Sequence, residues 1–262
     1  MSRFWFRFTV ALAVTLVLAL AGLLLWPMSR AAVRRSLKKD MAEVAREQTR
    51  DLTLIASRRA AEDAADFVAS DMRTARLFKD KFALFDAALG RVDARLEGMY
   101  CEFGVWKGTT INYIASKVPG PVDGFDSFEG LPEAWRHGFE AGAFKVEALP
   151  KVLPNVRLHK GWFKDSLPVF KKDHPEPLAF GHCDADLYSS TKDVFDALGD
   201  RIVAGTILQF DEFFNYPGWR EGEAKAFFEF CQTRQAEIEY IGYVPDNEQV
   251  AVRIKKIAPP PK

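Results

Sequence analysis

Cys101-Glu102-Phe103-Gly104-Val105-Trp106-Lys107-Gly108-Thr109-Thr110 decides the fold. An apolar strand, Met99–Phe103, runs into one glycine, and a second glycine four residues later opens a helix over Thr109–Lys117. A strand ending in a glycine turn that feeds a helix lets a ligand approach the backbone and the positive end of that helix closely. Outward from this block, the chain after Gly90 alternates short apolar runs with helical stretches, the pattern of an α/β domain. Further strands are expected near Val122–Phe125, Val156–His159, Leu178–Cys183 and Thr206–Phe210, with helices over Ser190–Leu198 and Gly222–Thr233. The end is different: Ile238–Val244, the polar turn Pro245-Asp246-Asn247-Glu248 and Gln249–Ile254 read as an antiparallel hairpin.

Twenty-two residues beyond Gly104, Asp126 ends the second expected strand in Gly124-Phe125-Asp126-Ser127-Phe128-Glu129-Gly130. An acid there can take both hydroxyls of a ribose, so the pair points to an adenosine-containing ligand. The plainer alternative is that Asp126 caps the next turn and Gly104 only permits tight packing. A nicotinamide-dependent oxidoreductase is the weaker reading. The G-x-G-x-x-G spacing is absent, Val105 and Trp106 stand where a pyrophosphate needs small residues, and Glu102 suits a cationic ligand better than a diphosphate. Acids then close the next strands in His182-Cys183-Asp184-Ala185-Asp186 and Gln209-Phe210-Asp211-Glu212-Phe213. Converging at the carboxyl edge, Asp184, Asp211 and Glu212 offer hard oxygen donors for Mg²⁺ or another divalent cation; the alternative is a set of solvated helix caps.

With these blocks together, residues 95–256 resemble the class I S-adenosylmethionine-dependent O-methyltransferases of the macrocin O-methyltransferase (TylF-like) group. Glu102–Gly108, Phe125-Asp126-Ser127-Phe128-Glu129-Gly130-Leu131-Pro132, and Asp184-Ala185-Asp186-Leu187-Tyr188-Ser189-Ser190-Thr191 with Asp211-Glu212 carry the resemblance. It implies a Rossmann-like, mostly parallel sheet with a C-terminal antiparallel hairpin. It also implies site roles: Glu102, Gly104 and Thr110 at the methionine end of S-adenosylmethionine, Asp126 at its ribose, and Gly161, Trp162 and Phe163 beside its adenine. Trp106, Gly108 and Ser127 belong to the same cofactor-binding blocks, and Asp184, Asp211 and Glu212 would hold the metal. Glu212 departs from the group's more usual Asp, and His182-Cys183 precede the first ligand. Since the methyl group of a sulfonium is already activated, the protein must mainly align an acceptor hydroxyl and lower its pKa. Asp184, through the metal, and His137, in a loop facing the substrate, are the catalytic candidates. Trp135, Phe139, Phe214, Tyr216 and Trp219 would wall the acceptor pocket or else belong to the core. The acceptor implied is a hydroxylated small molecule, sugar or glycan. A tethered binding protein with a degenerate methyltransferase fold is the rival reading.

Composition sets the remaining bounds. The chain of 262 residues is 48% hydrophobic and 27% charged, as expected of a globular protein. Residues 1–39 carry seven basic groups and no acid, leaving 29 basic against 36 acidic over the rest, an acidic body that argues against a nucleic-acid partner. Cys101, Cys183 and Cys231 are too few and too far apart for a disulfide framework or a zinc ribbon. Phe8–Trp26 is uncharged and about as long, as a helix, as a bilayer core is thick, and five basic residues follow it within thirteen positions. These features predict a single-pass transmembrane helix over residues 1–27 with the catalytic domain facing the cytoplasm. Residues 28–94, nearly free of Gly and Pro, read as a helical stalk and N-terminal helices, and residues 257–262 as a flexible tail. A homo-oligomer is admitted among the partners.

Overall fold

A computed structural model of the protein describes residues 30, 32–46 and 49–260. The chain divides into two compact units, Met1–Ala56 and Ser57–Lys262. In the first, residues 32–46 form helix α1. Among the described residues no helix is long and apolar enough to cross a membrane. This corrects the expected architecture: no transmembrane helix precedes the sheet in what the structure describes, and the single-pass, cytoplasm-facing placement drawn from it falls away. The span on which that expectation rested, Phe8–Trp26, lies outside the described residues.

The elements that follow are α2 (Leu52–Asp71), β1 (Arg76–Leu77), α3 (Lys81–Leu89), β2 (Met99–Phe103), α4 (Thr109–Lys117), β3 (Val122–Asp126), β4 (Val156–Lys160), α5 (Phe163–Asp173), β5 (Leu178–Cys183), α6 (Tyr188–Leu198), β6 (Ile207–Phe210), α7 (Glu223–Thr233), β7 (Glu237–Tyr243) and β8 (Val250–Lys256). They build one eight-stranded sheet in the order β1-β7-β8-β6-β5-β2-β3-β4. Strands β4, β3, β2, β5 and β6 are parallel, and β8 is antiparallel to both β6 and β7. The Rossmann-like sheet with its closing hairpin is therefore as the sequence implies. Two elements were not foreseen. Two-residue β1 is too short to leave a sequence signal, yet it extends the hairpin by pairing parallel with β7. Helix α5 carries Pro168 in its interior, which disguises a helix whose Leu167 and Phe170 are buried.

Strands β5 and β6 are buried along their whole length, as parallel strands covered on both faces must be. One core collects Phe103, Phe125, Phe210, Phe213, Phe227 and Trp219 on one side of the sheet; on the other, Leu84, Phe85, Ile111, Ile114 and Phe180 pack under α3 and α4. Burial on this scale, at about 25 cal/mol per Å² of apolar surface, fixes the strand ends that carry the site. The chain runs outward from β2 through β3 to β4, then returns to place β5 on the other side of β2. That reversal leaves a crevice at the carboxyl ends of β2 and β5, where open α/β sheets bind ligands.

Candidate functional site

Gly104 follows β2 at this reversal with φ +97°, and a Cβ built on it would lie 1.7 Å from the carbonyl oxygen of Asp184. Only glycine lets the two loops meet so closely. The register does the rest: Phe103 pairs with Cys183 and Cys183 with Phe210, so the residues just past the strands, Gly104, Asp184 and Asp211, come side by side. They border a cavity of 730 Å³, which lies within the size range of small-ligand sites.

The expected cofactor residues form one side of it. Gly104, Trp106, Thr110, Asp126, Ser127, Trp162 and Phe163 all line the cavity. Asp126 Oδ2 accepts the backbone N–H groups of Val105 (2.9 Å) and Trp106 (2.8 Å), and its Oδ1 accepts that of Phe128 at 2.6 Å. The carboxylate thus pins the loop after β2 to the loop after β3. Trp106 and Phe128 need that support, because both hold positive φ, +45° and +57°. Gly108, φ +78°, is the N-cap residue of α4, and the N–H of Gly161 donates to the Asp126 carbonyl at 2.9 Å; neither lines the cavity. Glu102 does not line it either. It is fully buried beneath, where its Oε1 bonds His182 Nδ1 at 2.8 Å, and burial raises its pKa against the opposing effect of His182. Its place is under the cofactor crevice rather than in it.

The other side is acidic. Single ligand atoms of Asp184, Asp186 and Glu212 lie within 4.8 Å of one another, as do those of His182, Asp184 and Asp211. Burial, then the neighbouring charges, Asp211 for Asp184 and Asp184 and Asp211 for Glu212, push the carboxyls of Asp184 and Glu212 well above the usual range. For Asp211 burial acts in the same sense, but His182 and Lys81 outweigh it and hold the pKa low. Burial disfavours the charged form of His182 as well, yet Asp211 and Glu102 prevail and raise its pKa to about 10. Its Nε2 stands 3.7 Å from Asp211 Oδ1, too far for a hydrogen bond. Asp211 Oδ1 and Glu212 Oε2 are buried without a hydrogen-bond partner among the described residues. Asp211 and Glu212 fall in separate groups that share Asp184, and an unpartnered carboxylate oxygen in each group fits a hard divalent cation; without one each carries a desolvation penalty of about 1–3 kcal/mol.

Four residues here were given no role by the sequence, although Asp186 stands within the third block. Lys81, at the start of α3, places its Nζ 2.8 Å from Asp211 Oδ2. Glu223, fully buried at the start of α7, accepts the N–H of Ala185 on Oε1 (3.0 Å) and that of Glu212 on Oε2 (3.2 Å), so one carboxylate ties together both acidic loops. Asp186 lines the cavity with φ +61°, and burial, opposed by Arg136, raises its pKa to about 7. Arg136 is gripped by Glu248 at 2.9 and 3.1 Å and lies over the rings of Trp135 and Tyr216, 3.8 and 5.1 Å from their centroids. Trp135 and Phe139 line the cavity, whereas Phe214, Tyr216 and Trp219 are buried core. His137 is exposed and not among the lining residues, so its side chain is not held where a base for this cavity would act. The only local signal for Lys81 was its position: a lysine in the first turn of a helix opposes the helix dipole.

Comparison with known proteins bears on this geometry. The family model described as macrocin-O-methyltransferase (TylF) matches residues 143–243. That segment holds both acidic loops and Glu223 but not the glycine turn or Asp126. No curated protein matches the sequence. Among solved structures, the calicheamicin methyltransferase CalS11 shares the fold, with 20% identity and a TM-score of 0.54 over 74% of this chain and 91% of that one. The O-methyltransferase NovP aligns with 21% identity and a TM-score of 0.49 over 67% of this chain and 80% of that one. MycE, in complex with Mg and SAH, aligns with 14% identity and a TM-score of 0.46 over 68% of this chain and 51% of that one. The chain thus shares the fold of a solved methyltransferase, and its segment 143–243, with both acidic loops, matches the macrocin-O-methyltransferase (TylF) model.

Proposed function

We propose that the domain methylates a hydroxyl group of a small glycosidic or otherwise hydroxylated acceptor, with a divalent cation at Asp184, Asp211 and Glu212. The observation that carries this reading is the single cavity shared by a glycine-lined cofactor crevice and a cluster of unpartnered carboxylates. S-adenosylmethionine would bring a methyl group already activated on its sulfonium, and a divalent cation would lower the pKa of the acceptor hydroxyl.

The chain's own residues do the remainder. Gly104, having no side chain, leaves the crevice open for the methionine end, and Asp126 keeps accepting capacity on Oδ1 for a ribose hydroxyl while it holds its two loops. Trp162 and Phe163 flank the adenine side. On the acceptor side, Trp135 and Phe139, with Arg136 stacked on Trp135, offer flat faces on which a sugar ring can lie. Asp186, which faces the same cavity, would accept the proton of the acceptor hydroxyl as that oxygen takes the methyl group and the sulfonium's carbon–sulfur bond breaks to leave a neutral thioether.

The test is a transfer assay with methyl-labelled S-adenosylmethionine against sugars, phenols and lipid-linked glycans, run in Mg²⁺ and in chelator. Metal-dependent labelling of a hydroxyl is the expected result. Binding of S-adenosylmethionine without transfer to any acceptor class would favour a degenerate binding protein, and preferential binding of NAD would favour an oxidoreductase.

A further inference from the structure

Lys81 lies outside every motif, and the helix it opens does not account for it. Asp80 caps α3 by accepting the N–H of Ala83 at 2.8 Å, and a cation directly after that cap is opposed by the helix dipole. Its Nζ instead reaches across the sheet edge to Asp211 Oδ2 at 2.8 Å and shares the cavity wall with Asp184 and Glu212. The contact joins a side chain that keeps 30% of its surface exposed to one that keeps 8%. The cation can therefore leave, on a flexible four-carbon stem, while the acid stays. Asp211's other oxygen is buried and without a hydrogen-bond partner among the described residues.

We infer that Lys81 is the built-in counter-ion of this acid cluster: its ammonium holds the Asp211 carboxylate in the cation-free enzyme, and a divalent ion enters by displacing it. The inference rests on the metal reading above and adds a competition to it. A divalent ion on Asp211 Oδ1 and the ammonium on Oδ2 would repel each other across one carboxylate, so metal binding opposes the Lys81–Asp211 pair. The site consequently binds metal more weakly than its carboxylates alone would, and without metal Asp211 has Lys81 as well as His182 beside it. Lys81 is in this sense a positioning residue, acting through Asp211.

The experiment is a titration of the full chain with Mn²⁺, followed by electron paramagnetic resonance of the free ion, for the wild type, Lys81→Met and Lys81→Arg. Lys81→Met should bind Mn²⁺ at least about tenfold more tightly, as expected when a competing charge in a partly buried site is removed. Lys81→Arg, which keeps the charge, should stay near the wild type. Without metal, Lys81→Met should melt below the wild type, and saturating Mn²⁺ should close the gap. Equal or weaker Mn²⁺ binding by Lys81→Met, with wild-type binding intact, would overturn the exchange and leave the metal site standing. No Mn²⁺ binding by any of the three would overturn the metal site and the exchange with it.

Discussion

Asp126 and Asp211 both sit at the carboxyl end of a strand, yet their carboxylates are in opposite condition. Asp126 is closed into three backbone N–H bonds, whereas Asp211 leans on Lys81 and keeps one buried oxygen without a partner among the described residues. The difference recurs around each of them. Near Asp126, Ser127 accepts the N–H of Glu129 and donates to Gly130, so the turn is complete in itself. Near Asp211, Asp184 and Glu212 are pushed toward their neutral forms by burial and then by neighbouring charges, Asp211 for Asp184 and Asp184 with Asp211 for Glu212. A side whose polar groups are satisfied is pre-organised for its ligand. A side with crowded, unpartnered acids is waiting for charge. The comparison therefore separates cofactor binding, which should need no metal, from methyl transfer, which should.

The sharpest way to break that separation is to remove the charge of the acids. Asp184→Asn and Asp211→Asn should each lower turnover at least about a hundredfold, by analogy with loss of a pre-organised electrostatic contact, while S-adenosylmethionine binding measured by calorimetry stays near wild type. Glu212→Gln should cost less if its longer side chain acts outside the ligand shell. On the other side, Asp126→Ala should lose about 2–4 kcal/mol of S-adenosylmethionine affinity, since it removes a charged acceptor and releases two loops together. An unchanged affinity in the folded variant would mean that Asp126 only caps its turn.

Glu223 tests whether the acidic side is held from behind. Its carboxylate bridges the N–H groups of Ala185 and Glu212, and Glu223→Gln puts an NH₂ where one acceptor was. Stability should fall by about 1–3 kcal/mol in thermal unfolding, with turnover reduced more than S-adenosylmethionine binding. A smaller effect is expected far from the cavity at Asp123, which is buried and bonded by Arg157 and His159. Burial tends to raise its pKa, but those two hydrogen bonds outweigh it, so the folded value lies below the unfolded one. Its contribution is present above about pH 4 and is lost as pH falls through the lowered folded value; Asp123→Asn should flatten that part of the stability profile. Smallest of all, exposed His137→Ala should leave turnover within about twofold, the scatter expected of a surface change.

The strands and the strand-end acids were legible in the sequence because both are local signals: apolar runs bounded by turns, and acids immediately after them. β2, α4 and β5 fall at the boundaries their residues imply, Met99–Phe103, Thr109–Lys117 and Leu178–Cys183. Helix α5 was hidden by Pro168, and β1 by its length. Glu102 read as a cofactor residue because it stands in the glycine block, but a strand covered on both faces gives no alternation to say which way a side chain points, and this one turns toward His182. Lys81 and Glu223 were out of reach for another reason. Lys81 meets its partner 130 residues away, and Glu223 meets Ala185 across 38, through a fold that no single segment encodes.

The most direct test of the account is a calorimetric titration of S-adenosylmethionine into metal-stripped protein, repeated in Mg²⁺. The cofactor side is complete without a cation, so the two dissociation constants should agree within about twofold, the precision of such a comparison. Binding that appears only when Mg²⁺ is present would contradict the division of the cavity into a self-sufficient half and a cation-dependent one.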